Sequence, residues 1–403
     1  MQGKVEVLFR ELVRDVPSTT YATHALYMYP AKFIPHVVRY VINKYTNPGD
    51  WVFDPFAGYG TVAIEASLTG RNAVLWDLNP IMEVLVKAST YMGELRLSDF
   101  DIDWGFSRPY RPLWSNINYW HPREFYEVLS RAWGFWHYAV PSDLKPVVAI
   151  PLLKVTRYFS YADLEIAKLY KSREAEARVK ELLSSDWRSK LRELYWQYAR
   201  ETYDKIRDYQ YRGPKRVELI VRAGVDSLNM RLDRDVDVLI TSPPYLQAQE
   251  YIRSFKLELA WLGYGNKLTE LSKHEIPYNN PPNVKVNSET YARIREEVRK
   301  LDHEKLLEIY DAYFKSLAHF LNNNHERVGR VMAIFVGPTK IRNIRVPIDE
   351  ILREHLESLG WKHEVTLVDK IVSRRLFKVE RNPATGLVDE RTPTEHLLIM
   401  SKN

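Results

Sequence analysis

Two short stretches of the chain carry residue types and spacings that can do chemistry. Residues 241 to 247 read TSPPYLQ, directly after VDVLI. Consecutive prolines neither extend a sheet ladder nor enter a helix smoothly, so the strand ends in a stiff, extended turn that fixes Ser242 and Tyr245 at its tip. The second stretch, WVFDPFAGYGTVAIEA at 51 to 66, is a strand, a turn of small residues and a helix start. Gly58 and Gly60 permit positive φ and close approach of a ligand to the backbone, and amides at the following helix N-terminus can face polar or anionic groups. Asp77 closes the next strand about 20 residues later, where an acidic side chain can bind ribose hydroxyls. Together with Asp54, ahead of the glycines, this pattern suits a nucleoside cofactor. It is neither the dinucleotide fingerprint, since GYGT lacks the third glycine, nor a phosphate-binding P-loop, since no G-K-[ST] follows. The plainer alternative is a tight strand-to-helix turn with no ligand.

DPFAGYGT, an acidic strand end and then TSPPY, in that order, resemble the S-adenosylmethionine-dependent amino-methyltransferases that modify exocyclic nitrogens of nucleic-acid bases. The upstream stretch THALYMYPAKFIP resembles the N-terminal motif of the cytosine-N4 branch. The likeness covers roughly 18 to 90 and 215 to 402. It implies that Asp54, with Phe56, Ala57, Gly58, Gly60 and Thr61, holds the methionine part of S-adenosyl-L-methionine and that Asp77 holds the ribose. Asp226, in AGVDSL, would receive the adenine amino group, and His24, Lys32 and Phe33 are candidates for the carboxylate end. Asp226 could instead cap a helix, and Lys32 could be a solvated surface charge.

An exocyclic base amine is a poor nucleophile because its lone pair is delocalised into the ring. The Ser242 hydroxyl and the Pro243 carbonyl could each accept a hydrogen bond from that amine, with Pro243 and Pro244 keeping the acceptors in place. Tyr245 would stack on a base taken out of its helix. The methyl would then pass in one in-line displacement. Methylation at cytosine carbon 5 needs a cysteine adduct, and the chain has no cysteine. Serine at the head of S-P-P-Y accompanies cytosine N4 in the family resembled. The alternatives are adenine N6 in DNA or guanine N2 in transfer RNA, and a methyltransferase fold that only binds nucleic acid. Cofactor titration separates that last reading from an enzyme.

Elements must position these residues. Strand-like runs at 51 to 56, 73 to 78, 217 to 221, 236 to 241, 330 to 336, 364 to 369 and 396 to 400 alternate with helix-like patterns at 33 to 45, 61 to 69, 250 to 262, 303 to 321 and 347 to 359. This alternation predicts an α/β fold with a doubly wound, mostly parallel sheet, and with the resemblance a Rossmann-like class I methyltransferase of seven strands. Residues 1–99 are then the cofactor-binding half and 215–403 the catalytic half, with 263–300 as a loop or lid. Between the halves, 100–214 form an inserted helical domain, expected to recognise the substrate. Its Trp133, Trp136, Trp187 and Trp196 read as core rather than as base-stacking residues.

The chain of 403 residues, 45% apolar and 27% charged, has the composition of a globular protein. A net charge of +6 favours a polyanionic partner only mildly, because both signs are interleaved. Motif order, with an insert between the halves, favours DNA by analogy; structured RNA such as rRNA is a close rival. Arg374, Arg375, Lys378 and Arg381 are candidates for a phosphate path, or for a solvated hairpin. The histidines are scattered without ligand spacing, so no metal is expected. No apolar run reaches the roughly 18 residues of a membrane span, and a cytoplasmic location is expected.

Overall fold

The computed structural model describes residues 3–166, 168–246, 250–370 and 394–402. Arg374, Arg375, Lys378 and Arg381 lie outside the described residues. The sheet strands are β1 (Lys4–Val7), β2 (Trp51–Asp54), β3 (Asn72–Asp77), β4 (Leu219–Ala223), β5 (Val236–Thr241) and β6 (Val328–Val336), then β9 (Trp361–Lys370) and β10 (Thr394–Lys402), with a small hairpin of β7 (Thr339–Ile341) and β8 (Ile344–Val346) between β6 and β9. They run in the order β1-β9-β10-β6-β5-β2-β3-β4. Only β10 is antiparallel to its neighbours.

The sheet has eight strands among the described residues, one more than expected, and the added strand is β1, paired in parallel with β9 from Lys4↔Thr366 to Val7↔Asp369. Its four residues, KVEV, are mostly exposed and carry no buried apolar run that would mark a strand. Its attachment is partly ionic: Lys4 Nζ lies 2.8 Å from the buried Asp349 carboxylate.

Both faces of the sheet are covered, so its central strands are apolar on alternate sides. Val52, Leu75, Val238, Ile240 and Ala333 face α1 (Pro35–Tyr45), α2 (Thr61–Thr69) and α3 (Ile81–Ser89). The helices α2 and α3 are themselves covered on their outer side. Every residue of α2 from Thr61 to Ser67 is buried, which is the pattern of a helix enclosed all round.

What encloses them is the insert: α4 (Arg123–Tyr138), α5 (Lys145–Tyr158) and α6 (Trp187–Tyr211). Ile64, Ile81, Leu85 and Ala88 join Phe125, Trp133, Leu152 and Tyr195 in one continuous core. Trp133, Trp136 and Trp187 are buried in it and Trp196 packs against it. The Tyr209 hydroxyl is hydrogen-bonded to Ser67 of α2. Arg157 of α5 pairs with the buried Glu258 at 2.8 Å, and the same Glu258 oxygen accepts from the Tyr27 hydroxyl at 2.8 Å. The insert is therefore a third layer sharing its core with the cofactor-side helices.

On the opposite sheet face, Phe53, Trp76, Leu239, Met332 and Leu398 pack with α7 (Glu289–Arg299), α8 (Glu304–Asn324) and α9 (Ile348–Ser358). Much of the 263–300 segment belongs to this layer, because Tyr291 of α7 stacks on Tyr310 of α8 at 5.3 Å. Only 274–276, within that segment, reach the cleft described below. Among the described residues no helix is long and apolar enough to cross a membrane.

Because the insert and α2 bury their apolar sides against one another, removing 100–214 is expected to abolish cooperative unfolding of the remainder in denaturant. A deletion protein that unfolds cooperatively would show that the two cores are separable.

Candidate active site

In open α/β sheets ligands sit beyond the carboxyl ends of the strands, where the strand order reverses. That point here lies between β2 and β5, paired through Val52↔Val238 and Phe53↔Leu239. An open cleft of about 800 Å³, counting its solvent mouth, occupies this position.

One wall comes from the ends of β2 and β3. Asp77 stands at the end of β3 and lines the cleft. Its Oδ2 accepts from the Gly58 amide at 2.7 Å and its Oδ1 from the Asn79 amide at 2.7 Å. Burial raises its carboxyl to about 6, against those two amide hydrogen bonds. Phe56, Ala57 and Gly58 also line the cleft. Gly58 has φ +52°, and a Cβ there would stand 3.1 Å from the Tyr29 ring. Gly60, with φ +91°, does something else: a Cβ on it would meet Val86 at 2.4 Å, so it serves the packing of α2 against α3 and does not line the cleft.

Asp54 is nearly fully buried below the cleft floor and does not line it. Its Oδ1 accepts from Thr241 Oγ1 at 2.7 Å and from the Phe56 amide at 3.2 Å. Burial pushes its carboxyl up to about 7, opposed by those bonds. Thr61 likewise faces inward, donating to the Phe33 carbonyl at 3.1 Å.

The segment at 18 to 33 folds over the glycine turn. The Tyr59 hydroxyl donates to the Thr23 carbonyl and accepts from the Leu26 amide at 2.9 Å. Lys32 and Phe33 line the cleft. Lys32 Nζ donates to the carbonyls of Thr19, at 3.1 Å, and His24, and burial with the nearby Lys205 charge lowers it to about 8. His24, expected at the cofactor's carboxylate end, is instead fully buried, with Nε2 2.7 Å from Glu65 Oε1. Arg39 Nε donates to the other Glu65 oxygen at 2.7 Å. Burial alone would raise Glu65; His24 and Arg39 hold it below its ordinary value. His24 thus anchors the loop that carries Lys32 and does not line the cleft.

The facing walls come from the second half of the chain. Asp226 lines the cleft, its Oδ1 accepting from the Leu228 amide at 3.1 Å and its Oδ2 lying 3.3 Å from His274 Nδ1. At the tip of β5, Ser242 and Pro244 line the cleft while Pro243 and Tyr245 do not. The Tyr245 hydroxyl donates to Glu395 Oε1 of β10 at 3.3 Å. Sequence reasoning did not single out Tyr29, Tyr251, His274 or Glu275, which also line the cleft. Tyr29 lies in the YMYPAKF stretch that was noticed; the others follow no motif.

The cleft fits S-adenosylmethionine in its donor set: a carboxylate at the end of β3, a second at Asp226, a lysine at the far side, and a turn whose Gly58 leaves room that a side chain would take. Among the described residues no group of three His, Cys, Asp or Glu side chains could hold a metal ion.

Residues 12–94 match the N6/N4 family model described as DNA methylase. The chain is 22% identical over 341 residues to Type II methyltransferase M.BsoBI of Geobacillus stearothermophilus, covering 75% of this chain and 66% of that protein. It is 21% identical over 432 residues to Type II methyltransferase M.MvaI of Kocuria varians, covering 96% of this chain and 92% of that protein. The solved structure of rRNA methyltransferase aviRa from Streptomyces viridochromogenes aligns over 98% of this chain and 96% of its own at 11% identity, but a TM-score of 0.32 is too low to bear on fold or substrate. The match spans the glycine turn and Asp77, and there the chain is similar to the N6/N4 DNA methylases; the methyl donor that this cleft takes is S-adenosylmethionine.

Proposed function

We propose that the protein methylates the exocyclic N4 amine of cytosine in DNA, acting in the cytoplasm on a base swung out of the duplex. The observation that carries this reading is that Ser242 and Pro244 share one cleft with Asp77, Gly58 and Asp226. Serine at the head of the S-P-P-Y tip supports cytosine; the family's description as DNA methylase and the relatives named Type II methyltransferases support DNA.

The bound cofactor supplies an electrophilic methyl on a sulfonium. The rest is done by this chain. Asp77 and Asp226 orient the nucleoside end, and Lys32 neutralises the carboxylate end. Ser242 Oγ, which lines the cleft, accepts an amine hydrogen, which draws the lone pair out of ring conjugation toward the methyl. The prolines keep this acceptor from following the amine, so alignment costs little at the moment of transfer. The proton released from nitrogen passes to water at the open mouth.

Asp77→Ala is expected to weaken cofactor binding by about 1 to 3 kcal/mol. Ribose hydroxyls need an ionised acceptor, and the carboxyl is raised to about 6. Affinity should therefore fall as pH drops through about 6, and Asp77→Asn should flatten that dependence. Calorimetry showing equal affinity in wild type and Asp77→Ala would remove Asp77 from the site.

Ser242→Ala takes away an acceptor and little volume, so it should lower kcat with smaller effects on cofactor and DNA affinity. Incubation with labelled cofactor and separated DNA, ribosomal RNA and transfer RNA, followed by nucleoside mass spectrometry, should find N4-methylcytosine in DNA. Methyl on adenine N6, on guanine N2 or confined to RNA would redirect the assignment, and methyl on carbon 5 or a ribose oxygen would overturn the mechanism.

A further inference from the structure

We infer that the β7–β8 hairpin holds the phosphate backbone of the DNA duplex beside the catalytic cleft, with Arg342 and Arg345 as its contacts. This inference rests on the amino-methyltransferase reading above. Strand β6 runs parallel to β5, with Ile334 opposite Thr241, so β6 ends on the same edge of the sheet as the Ser242 tip. The hairpin occupies the connection from the end of β6 at Val336 to α9, which begins at Ile348. It therefore stands on the edge of the sheet at which the cleft opens.

The two faces of the hairpin differ. Ile341 and Val346, 3% and 0% exposed, are buried in the core that they share with α7 and α9, while Lys340, Arg342 and Arg345 are exposed. No acidic residue occurs in the chain between Glu326 and Asp349. Among the described residues no ion pair engages Arg342 or Arg345.

Two features of the hairpin cost stability that the fold itself does not return. Lys340 and Arg345 are direct cross-strand partners, and like charges directly opposite one another are destabilising. The two-residue turn between Ile341 and Ile344 has Arg342 at φ +51°, a left-handed conformation that glycine and asparagine adopt with less strain than a long side chain. Local strain of this kind concentrates where a ligand makes use of it. A phosphate backbone supplies the counter-charge that the arginines lack, and a guanidinium fork matches two phosphate oxygens at once. Such contacts fix the register of the duplex over the cleft and read no sequence.

The test uses the full chain and unmethylated duplex DNA amplified in vitro. Affinity is read by filter binding across a salt series, and methyl transfer from tritiated S-adenosylmethionine. Arg342→Asn and Arg345→Gln combined should flatten the slope of log affinity against log salt by about two, one for each phosphate contact. At about 0.1 M salt each substitution should weaken binding roughly eightfold. The transfer rate at saturating DNA and the cofactor affinity should stay within about twofold of wild type. Arg342→Asn alone should raise the denaturant midpoint while it weakens DNA binding, a split that a purely structural residue does not show. Arg345→Lys should keep most of the affinity. An unchanged salt slope in the double variant, when wild type methylates the same DNA, would overturn the inference alone. So would a lower denaturant midpoint in Arg342→Asn, which would make the hairpin a structural element. A wild-type protein that transfers no methyl to this DNA overturns the underlying reading, and the inference with it.

Discussion

The Thr241 hydroxyl hydrogen-bonded to the buried Asp54 carboxylate, at 2.7 Å, joins the two strand ends on which everything else depends. Asp54 closes β2, ahead of the glycine turn, and Thr241 closes β5, one residue before Ser242. Parallel pairing fixes where the two strands lie but leaves their tips free to splay, since the ladder ends at Phe53↔Leu239. A buried carboxylate needs donors in such a place, because desolvation is costly unless hydrogen bonds offset it. Asp54 finds them in Thr241 and the Phe56 amide, one from each half of the site. The proline pair then carries the register outward as a stiff arm, so the position of the amine acceptor is set by a bond made inside the core.

The layers around the sheet serve the same constraint. Enclosing α2 on both sides buries Glu65, and that carboxylate is tolerable because donors reach it, Arg39 and His24 among them. Both partners lie outside α2, and His24 belongs to the segment that folds over the glycine turn. A buried charge on one helix therefore holds down the loop that presents Lys32 and Phe33 to the cleft. The Arg157–Glu258 pair does similar work between the insert and the wall bearing Tyr251, with Tyr27 as a third member. Such pairs contribute more to geometry than to net stability.

Much of this was legible in the sequence, for reasons that can be named. The strands β2, β3 and β5 are short apolar runs, the first two closed by Asp and the third by Thr241 just ahead of Ser242 and the proline pair, and buried parallel strands leave that signature. The glycine turn and Asp77 were readable because close backbone approach and a strand-end carboxylate demand particular residue types. What could not be read depended on partners distant in sequence. Gly60 is required by Val86, Tyr245 is drawn to Glu395, and His24 is drawn to Glu65. The insert's helices were visible as amphipathic patterns, but an apolar stripe does not say what covers it, and here it covers α2 and α3. Strand β1 was missed because an exposed edge strand of four residues has no buried face to declare it.

Thr241→Val preserves shape and removes the Thr241–Asp54 hydrogen bond between the two strand tips, so it isolates alignment from binding. Single-turnover methyl transfer by this variant, with cofactor and DNA both saturating, is the most direct measurement. The rate is predicted to fall at least about tenfold while cofactor affinity stays within about threefold of wild type. A variant that binds the cofactor normally and transfers methyl at the wild-type rate would contradict the claim that this bond aligns donor and amine.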